Sequence, residues 1–409
     1  MFIIYPRRNG IKLLWLGLGC LIVLLAYLLW ERISLDAYRR RIPLRVAVAG
    51  TRGKSSVARL IAAGLRGSGR RVVARTTGSR PVVILPDGSE REIERPGPPS
   101  VLEGKKLLRL ARDLQADTLV VELMSISPEY LAVESGRLFK PSILAVTNVR
   151  LDHPEAMGRT KEEIAGSLAA AIPRRATVFI PGGEWRPVFR HRAAVALARL
   201  VKVRPPQKKR ECSAPQARRL CDFPENMALA LTVTQACGVR EAAARRAMAQ
   251  ASSDRGALRA WKIRIGRGPG LWTCVSAFAA NEPESTFVIL AKLKKAGFLK
   301  TRPRLALLNL RADRPDRSQQ WLAAVRQGFF KDFDRLIFNG APRAWFHRMS
   351  ARQGGKPELS AVPARKAEKV MDNLLGQEKR GGLLVGFGNF GGMGQDLVEF
   401  WEQRGKACG

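Results

Sequence analysis

Residues 44–50, Leu-Arg-Val-Ala-Val-Ala-Gly, form an apolar run of the length of a buried strand. Thr51-Arg52-Gly53-Lys54-Ser55-Ser56 follows, and then Val57, Leu60, Ile61 and Leu65 recur at helical spacing until Gly67-Ser68-Gly69 ends the pattern. A strand that turns into a helix through so short a glycine-bearing loop restricts the chain to an α/β arrangement. In that context successive backbone N–H groups and the helix N-terminus can cradle phosphates. Lys54 would neutralise the β- and γ-phosphates, and the Ser55 hydroxyl would join an Mg²⁺ shell. The full G-x-x-x-x-G-K-[ST] pattern is not met, because its first glycine would fall at Val48. A plain helix start with an exposed lysine stays open as the other reading.

The same alternation continues. Segments 71–76, 117–124, 142–149 and 176–183 read as further strands, most separated by helical stretches. The Pro-rich, polar stretch 81–100 reads as a hairpin or loop insertion. Residues 224–239 and 241–251 read as consecutive helices, and Ser252 to Gly256 as a boundary. A second run follows, with strands in 273–280, 304–310, 334–340 and 382–388 and helices around 285–297, 318–330 and 392–403. A length of 409 residues fits two or three domains. The expected fold class is α/β: an N-terminal transmembrane helix, a central domain with a mostly parallel sheet, and a smaller α/β C-terminal domain. The expected bounds are 1–43 for anchor and juxtamembrane linker, 44–252 for the ATP-binding domain and 253–409 for the last domain.

The anchor is read from Leu13 to Trp30, eighteen residues without a formal charge, long enough for a ~30 Å hydrocarbon core. Trp15, Tyr27 and Trp30 lie towards its ends, where aromatic rings favour the headgroups. A signal peptide fits less well, since its apolar core usually runs ~7–15 residues and no A-x-A site follows. Arg32, Arg39, Arg40, Arg41 and Arg45 outweigh Arg7, Arg8 and Lys12, which favours a cytoplasmic C-terminal body. The expectation is a cell-membrane protein with a single span.

Lys and Arg number 71 against 35 Asp and Glu, a formal net charge of +36. Such a balance fits nucleic acid, an anionic membrane surface or a polyanionic substrate. Only 7% of residues are aromatic and the basic residues are spread along the chain, which argues against a nucleic-acid partner. Six cysteines without a C-x-x-C pair, and three histidines (His153, His191 and His347), exclude a disulfide framework and a Cys/His zinc site. Gly386-Phe387-Gly388-Asn389-Phe390-Gly391 spells a dinucleotide fingerprint, but no second strand with an acidic residue ~20 positions on can follow it. It reads as a glycine-rich loop packed against, or closing over, the site.

Gly50-Thr51-Arg52-Gly53-Lys54-Ser55-Ser56 resembles the phosphate loop of the Mur ligase superfamily, which lacks the first Walker glycine. Its arginine resembles the branch of poly-γ-glutamate synthases, the PgsB/CapB family. Further stretches agree in order: Leu119 to Met124, Thr147-Asn148-Val149 with Asp152-His153, Met157 to Thr160, Pro224 to Ala230, Ala277 to Ser285 and Leu308 to Pro315. The resemblance spans roughly residues 42–400.

It implies ATP and Mg²⁺, with Gly50 to Ser56 on the nucleotide and Glu122 and His153 joining Ser55 at the metal. Lys54, Glu122 and His153 carry the catalytic expectation, and Asn226 is implied on the nucleotide base. An imidazole is an unusual partner for so hard an ion, so His153 rests on the resemblance; a turn residue after Asp152 is the other reading. Asn226 reads equally as a helix-terminal residue. Asp152 is a candidate to orient His153. Arg311, Asp313 and Arg314 are candidates for substrate carboxylates or ribose, or for a salt-bridged loop. The carbamylated lysine of many Mur ligases has no counterpart in Ser167 to Ile172.

The implied chemistry activates a glutamate γ-carboxylate as an acyl phosphate and joins it to an amino group, building poly-γ-glutamate with small membrane-protein subunits. No general base is legible. Another Mur-type ligase, acting on folate or cell-wall precursors, and a membrane-tethered NTPase remain the alternatives.

Overall fold

The computed structural model describes residues 7–408 apart from 79, 96, 205–222, 253, 255, 265–269, 279, 281, 312–314, 341–356, 363–365 and 376–380. The features expected at Asp313 and Arg314, and parts of the 252–256 boundary and of the Ala277–Ser285 motif, lie outside the described residues. The chain divides into two units, one of 1–77, 81–206 and 224–251, the other of 78–80, 207–223 and 252–409.

In the first unit, α1 (Arg7–Arg40) leads to β1 (Leu44–Ala49), α2 (Lys54–Arg66), β2 (Val72–Thr76), β3 (Val82–Ile84) and β4 (Glu90–Glu92). Then come α3 (Glu103–Asp113), β5 (Thr118–Glu122), α4 (Pro128–Ala132) running into a π-helical turn at Val133–Phe139, and β6 (Ile143–Val146). After these follow α5 (Pro154–Met157), α6 (Lys161–Ala169), β7 (Thr177–Pro181), α7 (Pro187–Val195), β8 (Arg199–Val203), α8 (Pro224–Ala236) and α9 (Glu241–Ala249).

The eight strands lie in the order β4-β3-β2-β5-β1-β6-β7-β8. Six of them, from β2 to β8 in that order, are parallel. The Pro-rich stretch supplies β3 and β4 as an antiparallel hairpin on the edge. Strand β1 is central because it is apolar on both faces: Ala47 and Ala49 enter one core, Val46 and Val48 the other. On the first face lie α3, α6 and α7; on the second lies α2, covered by α8 and α9.

Helix α2 departs from the single apolar face its spacing suggests. Ser55 and every residue from Val57 to Leu65 are buried, since the helix is sandwiched between the sheet and α8 with α9. Its Ala and Gly content permits that approach. Helix α1 continues ten residues past the apolar run, because Leu35 and Tyr38 pack on the first core and Arg39 donates to Leu138 O at 2.8 Å.

The second unit contains β9 (Arg259–Arg264), β10 (Leu271–Ser276), α10 (Pro283–Lys295), β11 (Arg304–Asn309), α11 (Pro315–Arg326), β12 (Arg335–Asn339) and β13 (Glu358–Ala361). It ends with α12 (Ala367–Leu375), β14 (Gly381–Gly388), α13 (Met393–Arg404) and β15 (Lys406–Cys408). Its seven strands run β13-β12-β11-β14-β10-β9-β15, parallel from β13 to β10 and antiparallel around β9. Trp272, Trp321, Trp401, Phe278 and Phe387 fill its two cores.

The chain leaves β1 for β2 and β5 on one side and returns to β6 on the other. The strand order therefore reverses at β1, and a crevice opens at the C-terminal ends of β5, β1 and β6, where ligands of such sheets bind.

Candidate active site

The loop from Gly50 to Gly53 occupies that crevice. Gly50 has φ 133°, and a Cβ there would stand 2.0 Å from Thr147 Oγ1. Gly53 has φ 77° and begins α2; a Cβ there would stand 2.9 Å from Asn226 Nδ2. Both glycines are therefore demanded by backbone conformation and by close approach. No side chain caps α2 and no acidic residue lies in its first turn. The orphan N–H groups and the positive end of the helix dipole thus face the crevice, a ready-made anion site.

The segment that follows β6 clamps the loop. Asn148 Oδ1 accepts from Thr51 Oγ1 at 2.7 Å and from Arg52 N at 3.0 Å, while Asn148 Nδ2 and Thr147 Oγ1 donate to Arg52 O at 3.0 and 2.6 Å. Arg150 N donates to Thr51 Oγ1 at 3.0 Å. The clamp escaped the sequence reading, although Thr-Asn at the end of an apolar strand was its visible trace.

Lys54 Nζ donates to Gly50 O at 3.0 Å, so the side chain curls back over the loop. Ser55 Oγ donates to Glu122 Oε2 at 2.8 Å, and Thr77 N donates to the same oxygen at 2.7 Å. Glu122 is buried at the end of β5, level with Val48 of β1. Ser56 follows, half-buried, in the first turn of α2, and Asn226 comes from α8 to lie against Gly53.

His153 precedes Pro154 with a left-handed φ of 48°. Its Nε2 lies 3.8 Å from Asp152 Oδ1 and its Nδ1 3.7 Å from Glu155 Oε1. Asp152 in turn pairs with Arg52 of the loop at 3.4 Å, which links the imidazole to the Gly50–Gly53 loop through one carboxylate. Among the described residues, no group of three or more His, Cys, Asp and Glu side chains is gathered around a common ion. The Ser55 hydroxyl and Glu122 carboxylate are hard oxygen donors of the kind Mg²⁺ takes, and it commonly draws its remaining ligands from phosphates and water. The residues present fit that ion.

A buried ion pair behind Glu122 is a second feature missed in sequence. Arg75 of β2 reaches Glu134 at 2.8 Å, both side chains being essentially inaccessible, and also donates to Glu122 O at 3.0 Å. Glu134 accepts from Met124 N and Ser125 N at 3.1 and 3.0 Å. The pair ties together β2, the end of β5 and the π-helical turn. An arginine inside the apolar run Val72 to Thr76 was the only hint.

In the second unit the glycine-rich loop is anchored rather than open. Asn309 Nδ2 donates to Asn389 O at 2.7 Å and to Gly391 O at 3.2 Å, and Asn339 Nδ2 donates to Asn309 Oδ1 at 2.7 Å. The motif beginning at Ala277 shapes the start of α10, where Ser285 donates to the buried Glu282. Arg311 is exposed, near Gly391.

Residues 264–404 match the poly-gamma-glutamate synthase CapB C-terminal domain, and residues 48–184 match the Mur ligase middle domain. The chain is 30% identical over 395 residues to the PGA synthase CapB of Bacillus subtilis (strain 168), covering 94% of this chain and 97% of that protein. It is 30% identical over 324 residues to the capsule biosynthesis protein CapB of Bacillus anthracis, covering 78% of this chain and 68% of that protein. The fold is similar to the bifunctional folylpolyglutamate synthase/dihydrofolate synthase of Yersinia pestis complexed with AMPPNP and Mn. That likeness has a TM-score of 0.65 at 14% identity, over 90% of this chain and 92% of the other.

Proposed function

The chain belongs to the CapB family of poly-γ-glutamate synthases, within the Mur ligases, and from that premise we propose that it builds poly-γ-glutamate at the membrane. It is an ATP-dependent ligase. A glutamate γ-carboxylate attacks the γ-phosphate of ATP in line, giving an acyl phosphate and ADP. An incoming amine then attacks the acyl carbon, and the tetrahedral intermediate collapses to an amide and phosphate, its surplus proton passing to solvent.

The protein aligns the reactants and stabilises charge. The observation that carries this reading is the uncapped start of α2, with Lys54 above it and the Ser55–Glu122 hydrogen bond beside it. Lys54 exchanges Gly50 O for the phosphates, while the loop N–H groups hold them. The Asn148 clamp keeps those donors aimed before substrate arrives, so none must be reorganised during reaction. Asn226 is assigned to the nucleotide. Ser55, Glu122 and His153 would hold Mg²⁺, which when bound neutralises phosphate charge.

Residues 13–30 are assigned to a single membrane span with the body in the cytoplasm, where ATP is supplied. Every residue of this apolar stretch is exposed, with none packed into the body of the protein. Small membrane-protein subunits are the proposed partners. The surplus of 36 positive charges suits retention of a growing polycarboxylate.

The test is ATP-dependent incorporation of labelled glutamate by membranes containing the protein. A γ-linked polymer is expected. Incorporation into lipid-linked cell-wall precursors or folates would move the enzyme to another Mur branch, and ATP turnover indifferent to glutamate would make it an NTPase.

A further inference from the structure

Helix α1 carries more than an anchor, because its last three turns lie along α3. Lys105 pairs with Glu31, the first residue after the apolar run, and the Arg112 guanidinium lies 4.4 Å from the Tyr38 ring centroid. On each helix the two contact residues are two turns apart, so α1 and α3 run side by side in the same direction.

The direction of α3 follows from its connection. Leu107, Leu108 and Ala111 share a core with Leu119 and Val121, so α3 lies on the sheet, and a short link joins Asp113 to the start of β5 at Thr118. Helix α3 is therefore antiparallel to β5. Its eleven residues rise ~16 Å, about the length of a five-residue strand, which brings its first turn to the C-terminal edge of the sheet. Glu31 stands at that level, and the apolar residues up to Trp30 continue beyond it, on the side where the phosphate loop and Glu122 lie.

The surface on that side suits a lipid interface. Leu102, just before α3, is 60% exposed, and Tyr130, after β5, is 62% exposed; Ile126 and Leu151, after β5 and β6, are exposed as well. Lys106 and Arg109 are exposed on α3 following Leu102, while one exposed carboxylate, Glu129, adjoins Tyr130. Aromatic and aliphatic side chains interleaved with cations are what an anionic headgroup region accepts.

We infer that the C-terminal edge of this sheet faces the bilayer, with Leu102, Ile126 and Tyr130 in the headgroup region of anionic phospholipid. The phosphate loop and Glu122 lie at the same edge of the sheet. This rests on the assignment of residues 13–30 to a membrane span.

A photoreactive benzoylphenylalanine is placed singly at positions 15, 102, 130 and 197 of the full chain, and membranes from the expressing cells are irradiated. Leu197 is 61% exposed at the opposite edge, between α7 and β8, so it controls for simple exposure. Phospholipid adducts are expected at 15, 102 and 130, with yields at 102 and 130 about tenfold above that at 197, as fits a side chain withdrawn from water. Adducts at 15 with 102 and 130 no higher than 197 would overturn the inference and leave the span standing. Polypeptide adducts at 102 and 130 in place of lipid would overturn it in favour of a protein partner. No lipid adduct at 15 would instead remove the span itself.

Discussion

The Ser55 hydroxyl donates to the Glu122 carboxylate at 2.8 Å, joining the first turn of α2 to the end of β5 across the crevice beside β1. Two positions 67 residues apart in sequence thereby become one hard-oxygen site. Ser55→Ala and Glu122→Gln should each lower Mg²⁺-dependent turnover, by roughly tenfold to a hundredfold. The double variant should fall little below the weaker single, since the two act as a unit. Mg²⁺ activation curves check this, and an unchanged half-saturation in both would make the contact structural.

Lys54→Ala should abolish most glutamate-dependent ADP release, by about a hundredfold or more, while leaving the fold intact. The curled lysine is only half-buried and accounts for little packing. Circular dichroism and single-turnover ADP release separate the two effects. Full activity in this variant would dismiss the phosphate-loop assignment.

Gly53→Ala places a Cβ at a left-handed residue and against Asn226, at a local cost of ~1–2 kcal/mol plus displacement of the loop. Gly69→Ala is the matched control: its φ is 88°, yet a Cβ there meets nothing within 4 Å. Both should lower the melting temperature, whereas only Gly53→Ala should weaken ATP-analogue binding measured by calorimetry.

Arg75→Met leaves Glu134 charged and unpaired in the core, a loss of about 3–5 kcal/mol. Glu134→Gln should be milder, since its carbonyl oxygen can still accept from Met124 N and Ser125 N. The combined variant Arg75→Met, Glu134→Gln should recover part of the loss. Thermal unfolding of the three chains checks the order, and equal melting temperatures would count against a stabilising pair.

A chain beginning at residue 31 should remain folded and leave the membrane fraction, whereas one beginning at residue 44 should aggregate. The second cut removes Ile42, which is fully buried, and strips the Leu35 and Tyr38 packing and the Arg39 contact from the first core. Sedimentation after washing with ~1 M salt, at which charges are screened beyond ~3 Å, distinguishes the outcomes.

Much of this protein was legible locally. The run 44–50 became β1, 224–239 and 241–251 became α8 and α9, and the Pro-rich 81–100 became the β3–β4 hairpin. The strand–loop–helix turn at Gly50–Ser56 was legible too, because the strand, the loop glycines and the helix that make it are contiguous. Each of these is encoded within a window of about twenty residues, where side-chain periodicity and backbone freedom act directly.

Strand order, by contrast, is a statement about partners. Nothing in the apolar run 142–149 says that Asn148 will grip Arg52, or in 71–76 that Arg75 will find Glu134, since both depend on which strands flank β1 and β5. Likewise the Leu13–Trp30 run announces a helix fit for a membrane, but only the docking of Glu31 and Tyr38 against α3 decides which edge of the sheet lies nearest to it. Residue chemistry and short spacing specify the elements, and the resemblance of the motifs to the Mur ligases implies the kind of reaction. The site itself arises only when long-range pairing brings the ends of β5, β1 and β6 within hydrogen-bonding distance, a few ångströms over which position decides function.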